Sequence, residues 1–231
     1  MSSRKRFHVV LIKPSHYDDD GYVIQWLRSA IPSNTLATLY GLLTQCREQR
    51  VLGDDVDIEI TAYDETNTVI PIKRIVREIK SAGSGFVGLV GVQSNQFPRA
   101  VDMARQFRAA GLPVVIGGFH VSGCLAMLPE LPPDIRAAQE MGISFYAGEA
   151  EGRLDEVLRD VYEDRLKPLY DYLSKLPDMA NVAVPFLPEK VVARAAGRYT
   201  SFDCGRGCPY PMQFLHHHQR PGPQVPAPHA R

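Results

Sequence analysis

The stretch that most constrains the fold runs from Phe86 to His120 and has the pattern of a strand, a helix and a second strand. Residues 86–92 are apolar or glycine over most of their length and do not alternate, which is typical of a central parallel strand covered on both faces. Pro98 predicts the first turn of a helix that ends at Gly111, and residues 113–116 predict the next strand. Such a unit predicts an α/β, doubly wound sheet that binds ligands at the carboxyl ends of its strands.

Three further strands complete a predicted five-stranded parallel sheet of the flavodoxin-like or Rossmann-like kind. An apolar run at 7–12 predicts the first strand, alternation at 56–63 predicts an edge strand, and residues 142–146 predict the fifth strand. Apolar residues at helical spacing predict the covering helices, including a short one at 125–131 that Pro132-Pro133 closes.

The chain divides into four predicted segments. Residues 1–166 form the α/β domain, and the proline-containing stretch 167–197 is a linker that wraps around it without a second core. Residues 198–210 begin a further domain with a short strand and a cysteine loop. Residues 211–231 contain five prolines, four histidines and no acidic residue, so they predict a disordered tail.

Composition excludes several classes of partner. The chain has 26 basic and 26 acidic residues, so no overall charge favours nucleic acid or an anionic membrane as a partner. No apolar run is long enough to cross a bilayer, and the first residues lack the apolar core of a signal peptide, which predicts a cytoplasmic protein. Four cysteines are too few for a disulfide framework.

Two adjacent carboxyl ends, at residues 91–95 and 117–120, offer small residues, polar side chains and open backbone. For either loop alone, a tight turn explains the glycines as well as a binding site does. Two such loops next to each other favour a binding site. The acidic turn at 18–20 predicts no metal site, because a solvated turn explains it without further oxygen ligands.

The chain lacks the features that three common kinds of site on such sheets require: the dinucleotide site, the flavin mononucleotide site and the phosphorylation site of a receiver domain. Dinucleotides need G-x-G-x-x-G after the first strand, and Lys13-Pro14-Ser15-His16 has no such glycines. A flavin mononucleotide site would need a phosphate loop in the same place, and a phosphorylatable receiver domain would need an aspartate where Gln93-Ser94 stands. A large planar ligand such as cobalamin is left.

The segments VGLVGVQSNQ, VVIGGFH, GEAEG and SFDCGRGCPY, with the proline-containing linker between the last two, resemble the cobalamin-binding radical S-adenosylmethionine enzymes. In that family a cobalamin domain precedes a partial barrel that holds a four-iron, four-sulfur cluster. The resemblance covers residues 7–210. It implies cobalamin as a small-molecule cofactor, held by residues of the carboxyl-end loops: Ser15, His16, Gln93, Ser94, Gly117, Gly118, Phe119, His120, Gly148 and Glu149.

His16 occupies the loop in which mutase-type cobalamin proteins carry a cobalt ligand within the motif D-x-H-x-x-G. Pro14 stands where that motif has its aspartate, and the glycine comes later, at Gly21. A solvated loop histidine is the alternative interpretation, and many members of the radical family bind cobalamin without this ligand.

The family's cluster motif is C-x3-C-x2-C, whose three thiolates leave one iron open to S-adenosylmethionine. Cys208 corresponds to the first thiolate, whereas the second and third positions are Met212 and Leu215. Neither side chain supplies a thiolate, and no barrel follows. This chain is therefore expected to bind neither the cluster nor S-adenosylmethionine and to be catalytically inactive.

The tail after Tyr210 has the properties of a frameshift. Reading Met212-Gln213 one base later forces the cysteine codon TGC, because methionine has the single codon ATG and every glutamine codon begins with C. Residues 213–216 then permit Ser, Phe and a second Cys at the motif spacing. We expect the DNA of codons 208–231 to spell both cysteines in the +1 frame.

The leading hypothesis is the cobalamin-binding domain of a radical S-adenosylmethionine enzyme that methylates or rearranges a small molecule. A stand-alone carrier of a corrinoid or another small ligand is one alternative. A flavodoxin-like interaction domain without a ligand is the other.

Overall fold

A computed structural model of the chain describes residues 4–175 and 177–196. In these described residues, six strands form one all-parallel sheet in the order β2-β1-β3-β4-β5-β6. The strands are β1 (Lys5–Lys13), β2 (Val56–Asp64), β3 (Gly83–Leu89), β4 (Val114–Gly117), β5 (Ser144–Ala147) and β6 (Leu169–Asp171). The helices are α1 (Asn34–Glu48), α2 (Ile72–Ala82), α3 (Phe97–Ala109), α4 (Phe119–Met127), α5 (Pro133–Glu140), α6 (Leu154–Tyr162) and α7 (Glu189–Val192).

Two hydrophobic cores lie on opposite faces of the sheet, because successive residues of a strand point to opposite sides. Val10 of β1 packs in one core with Phe107 of α3, and α2 and α5 also contribute to it. Phe7 packs in the other core with Leu36 of α1, and α6 adds Val157. Phe7 and Phe107 are fully buried, which stabilises the fold by about 1.5–3 kcal/mol for each such side chain. The predicted doubly wound α/β class is confirmed.

The predicted strand number was wrong by one, since β6 lies within the segment expected to be a linker. Its central residue, Tyr170, is buried, stacks against Tyr146 and donates a hydrogen bond of 2.8 Å to Asp160 Oδ2. A strand of three residues has no apolar run that a periodicity argument detects. Backbone pairing with β5 and one buried ring hold it in place.

The chain after β6 wraps back across α1. Phe186 donates its N–H to Ala37 O at 3.1 Å and its ring meets the Tyr40 ring edge-on. Ala195 then pairs with Ser29 in a parallel bridge. These contacts anchor the segment without a core of its own.

Two helix predictions need correction. The helix expected at 125–131 begins six residues earlier, at Phe119, so Phe119 and His120 belong to the first turn of α4. Pro133 begins α5, whereas Pro132-Pro133 was predicted to end a helix. Proline is tolerated in the first helical turn because its missing N–H would have no partner there.

Residues 197–231 lie outside the described residues, and so do the predictions that fall on them: the strand and cysteine loop at 198–210, Cys208, Met212, Leu215 and the tail. Among the residues that are described, no helix is both long and apolar enough to span a membrane.

Candidate functional site

The strand order reverses between β1 and β3, and the buried side chain of Gln96 bridges the loops that follow these two strands. Gln96 donates from Nε2 to Pro14 O at 2.8 Å and accepts the Gln93 N–H at 2.9 Å. The predicted residue Gln93 itself has an exposed side chain. Gln96 was not predicted from the sequence, because its acceptor, Pro14 O, lies 82 residues away in the chain.

The loop after β3 and the start of α4 bring Ser94 and His120 together. Ser94 Oγ lies 3.2 Å from Nδ1 of His120, whose backbone N–H donates to Val92 O at 3.0 Å. The imidazole packs on the Phe97 ring, with 4.3 Å between ring centroids. Backbone and side-chain contacts therefore fix this histidine at the carboxyl edge of the sheet.

The other ring nitrogen of His120 has no hydrogen-bond partner within the described residues and is buried. The closest charged group is Asp134 Oδ2, 3.9 Å away at the start of α5. Burial lowers the pKa of His120, and Asp134 opposes that shift. The ring is therefore neutral at pH 7 and has one free hydrogen-bonding nitrogen. Asp134 was missed because α5 was not predicted.

Unfolding should become easier between pH 7 and pH 5, and His120 should contribute to the slope. The lowered pKa means that the unfolded chain takes up a proton below about pH 6.5 that the folded chain does not, so the free energy of unfolding falls as the pH falls. His120→Gln is expected to flatten the slope by at most about 1.4 kcal/mol per pH unit, the limit for one proton. Urea denaturation at several pH values measures it, and an unchanged slope would contradict the assignment.

Contacts within the chain account for Gly118, one of the two glycines after β4. A Cβ on Gly118, whose φ is +144°, would lie 2.2 Å from Val92 N. Gly117 O accepts the N–H of Val92 at 3.1 Å, so the two loops are joined through backbone. Tight chain packing requires a glycine at position 118 whether or not a ligand approaches, whereas a Cβ on Gly117 would meet Tyr146 only at ordinary contact distances of 3.4 and 3.5 Å. Phe119 beside them keeps a partly exposed ring.

Gly148 and Glu149 follow β5 and are tied to neighbouring segments. Gly148 N donates to Ser122 Oγ of α4 at 3.2 Å, and a Cβ on this residue would lie 2.8 Å from the Tyr172 carbonyl carbon. Glu149 O accepts a hydrogen bond of 2.9 Å from the Tyr146 hydroxyl. Ser122 connects this loop to the helix that carries His120.

Ser15 is buried, and both of its polar groups are used internally. Its N–H donates to Glu65 Oε2 at 3.0 Å and its hydroxyl donates to Ile24 O at 2.5 Å. His16 accepts the Ile24 N–H through its backbone carbonyl, and its half-buried imidazole has no hydrogen bond or ion pair in the described part of the chain. Of these two predicted residues, only His16 has a side chain available to a ligand.

Polar residues of neighbouring loops thus meet at the carboxyl edge of an all-parallel α/β sheet. No group of three or more metal-ligating side chains occurs within 4–175 and 177–196. Comparisons with known protein families, with curated proteins and with solved structures found no match to this chain.

Proposed function

We propose that this chain is a corrinoid-binding domain that holds cobalamin at the carboxyl edge of its sheet. The observation that carries the proposal is the contact between Ser94, in the loop after β3, and His120, at the start of α4, which leaves one buried imidazole nitrogen without a hydrogen-bond partner in the described residues. An unpaired buried nitrogen costs about 1–3 kcal/mol, and a bound polar ligand would recover that cost. The loop after β1 has no phosphate-binding glycines, which argues against a nucleotide.

The predicted cofactor residues fit a corrinoid unequally. Ser94 and His120 have polar atoms to offer, and the His16 ring is available as a cobalt ligand. Ser15 does not fit, because its donors are already used. Cobalamin, when bound, would supply the methyl-transfer or radical chemistry of the full-length enzyme, whereas these residues would bind and orient it.

A flavodoxin-like interaction domain without a ligand is the second candidate, and two observations favour it. Chain packing alone explains Gly118, and internal hydrogen bonds satisfy Ser15. A domain of this kind would retain no corrinoid.

Hydroxocobalamin mixed with the purified chain should co-elute with it in gel filtration at close to one equivalent. The expected basis is burial of the planar ring against the carboxyl edge, and the visible absorption spectrum of the eluted protein measures it. Loss of the ligand during filtration would contradict both the enzyme-domain and the carrier interpretations. If the ligand is retained, an unchanged spectrum in His16→Ala would remove His16 as the cobalt ligand.

By the proposed function, the domain would belong to a radical S-adenosylmethionine enzyme. The intact enzyme would join this domain to a cluster-binding barrel and act on a small molecule in the cytoplasm, whereas the present chain would bind the corrinoid without catalysis. A stand-alone carrier would show the same retained corrinoid. The DNA sequence of codons 208–231 separates the two interpretations, because only the first predicts two cysteines in the +1 frame.

A further inference from the structure

A cavity of about 450 Å³ lies at the outer edge of the sheet, where β2, α2 and the chain around α7 meet. None of the ten residues predicted for the corrinoid site lines it. Its volume is within the range of roughly 300–1,000 Å³ that small-molecule sites occupy. The side chains that matter for its chemistry are Arg6, His8, Glu59, Thr61, Lys190 and Arg194.

His8 places a polar ring directly beside the apolar part of this sheet face. Val10 and Ile12, the next residues of β1 on the same face, are fully buried in the core with α2. His8 is only 5% exposed, and its Nε2 lies 2.9 Å from Thr61 Oγ1 on β2. An apolar residue would fill this position at a lower desolvation cost.

The Nδ1 atom of His8 is buried and has no hydrogen-bond partner in the described residues. Burial lowers the pKa of this histidine, with Glu59 and Glu78 opposing the shift, so the ring is neutral at pH 7. A neutral imidazole held against a threonine hydroxyl, with one nitrogen unpaired, is a suitable partner for a ligand hydroxyl. Core packing alone gives no reason for such a pair.

The carboxylates that line the cavity are already paired. Glu59 accepts two hydrogen bonds from the Arg6 guanidinium, from Nε at 2.6 Å and from Nη2 at 2.7 Å. Glu78 pairs with Arg74 at 2.7 Å, and Asp64 Oδ1 lies 3.6 Å from Lys13 Nζ. The negative charges of the lining are therefore neutralised.

Two cations of the lining have no such partner. Lys190 makes no ion pair within the described residues, and the Arg194 side chain donates only to a backbone carbonyl, Asn67 O, at 3.2 Å. Both side chains come from the segment that wraps back across the domain, four residues apart. The cavity therefore has an excess of positive charge at the α7 side.

We propose that this cavity is a second binding site, which takes a small polyhydroxylated molecule carrying one phosphate group. The phosphate lies between Lys190 and Arg194, whose two positive charges balance a dianion, and arginine offers a fork of donors that suits phosphate oxygens. A hydroxyl group of the ligand reaches His8 and Thr61. The site is independent of the corrinoid proposal, since the two share no residue.

Titration of the ¹⁵N-labelled full chain with ribose 5-phosphate, followed by amide chemical shifts, tests the proposal. Saturable shifts at Thr61 and Arg194 are expected, with tighter binding than inorganic phosphate shows in the same experiment. Lys190→Ala combined with Arg194→Ala should weaken the binding of ribose 5-phosphate at least tenfold. His8→Phe and, separately, Thr61→Val should remove the preference over inorganic phosphate while inorganic phosphate still binds.

Lys80→Ala is the matched control, because Lys80 is an exposed cation at the end of α2 that does not line the cavity. Its affinity for ribose 5-phosphate should stay within twofold of the unaltered chain. The absence of saturable shifts would overturn the proposal. An equal loss of affinity in the Lys80 and the Lys190/Arg194 variants would also overturn it, because it would show nonspecific attraction.

Discussion

Replacing Gly118 with alanine should destabilise the protein by about 3–5 kcal/mol, because two separate costs act at this position. The first cost is conformational: φ at Gly118 is +144°, a region that residues with a Cβ rarely adopt. The second is steric: the new Cβ would lie 2.2 Å from Val92 N and 2.8 Å from the Gly91 carbonyl carbon. Both neighbours are backbone atoms, so the loop after β3 must move. Chemical denaturation measures the loss.

Gly111→Ala separates the two costs. Gly111 also has a positive φ, +80°, but a Cβ there would meet nothing within 4 Å. Only the conformational cost of about 1–2 kcal/mol applies. Equal destabilisation by the two substitutions would contradict the close packing of the β3 and β4 loops.

Arg99→Met should cost about 3–5 kcal/mol, the usual penalty when one partner of a buried ion pair is removed. Glu65 is 1% exposed and accepts from Arg99 Nη2 at 2.5 Å and from the Ser15 N–H at 3.0 Å. Removal of Arg99 leaves this carboxylate buried without its charged partner. The pair joins α3 to the loops after β1 and β2, so its loss should loosen the carboxyl edge.

A double-mutant cycle isolates the interaction. Glu65→Leu combined with Arg99→Met should cost clearly less than the sum of the single substitutions, because neither charge is then left unpaired. Arg50→Met is the surface control, because Arg50 and Asp54 form an exposed ion pair. This substitution should leave the free energy of unfolding nearly unchanged. If the double variant is destabilised by the sum of the two single variants, Glu65 and Arg99 do not interact as a coupled buried pair.

Elements with a strong local signal were predictable from the sequence. Alternation at 56–63 identified β2 as an edge strand, and Pro98 and Gly111 located α3 to within a few residues. These signals are local, because they depend only on burial periodicity and on the backbone limits of proline and glycine. The sixth strand gives no such signal, and it exists through its pairing with β5.

The candidate site was predictable in outline only. The end of each apolar run indicated which loops lie at the carboxyl edge, and this was enough to place Ser94 and His120 in neighbouring loops. The hydrogen bond between the Ser15 N–H and the Glu65 carboxylate could not be predicted, because Glu65 lies 50 residues away in the chain. His8 was read as part of an apolar strand, and only the tertiary contact with Thr61 shows its unpaired nitrogen.

Equilibrium dialysis of hydroxocobalamin against the unaltered chain and two tryptophan variants tests the corrinoid proposal most directly. Ser94→Trp places a large ring at the carboxyl edge, and Ser81→Trp places the same ring at the opposite end, just before β3. Both serines are exposed, so both variants should fold. We predict about one equivalent bound to the unaltered chain and to Ser81→Trp, and at least tenfold weaker binding to Ser94→Trp. No binding to the unaltered chain, or equal binding to all three proteins, would contradict a corrinoid site at the carboxyl edge.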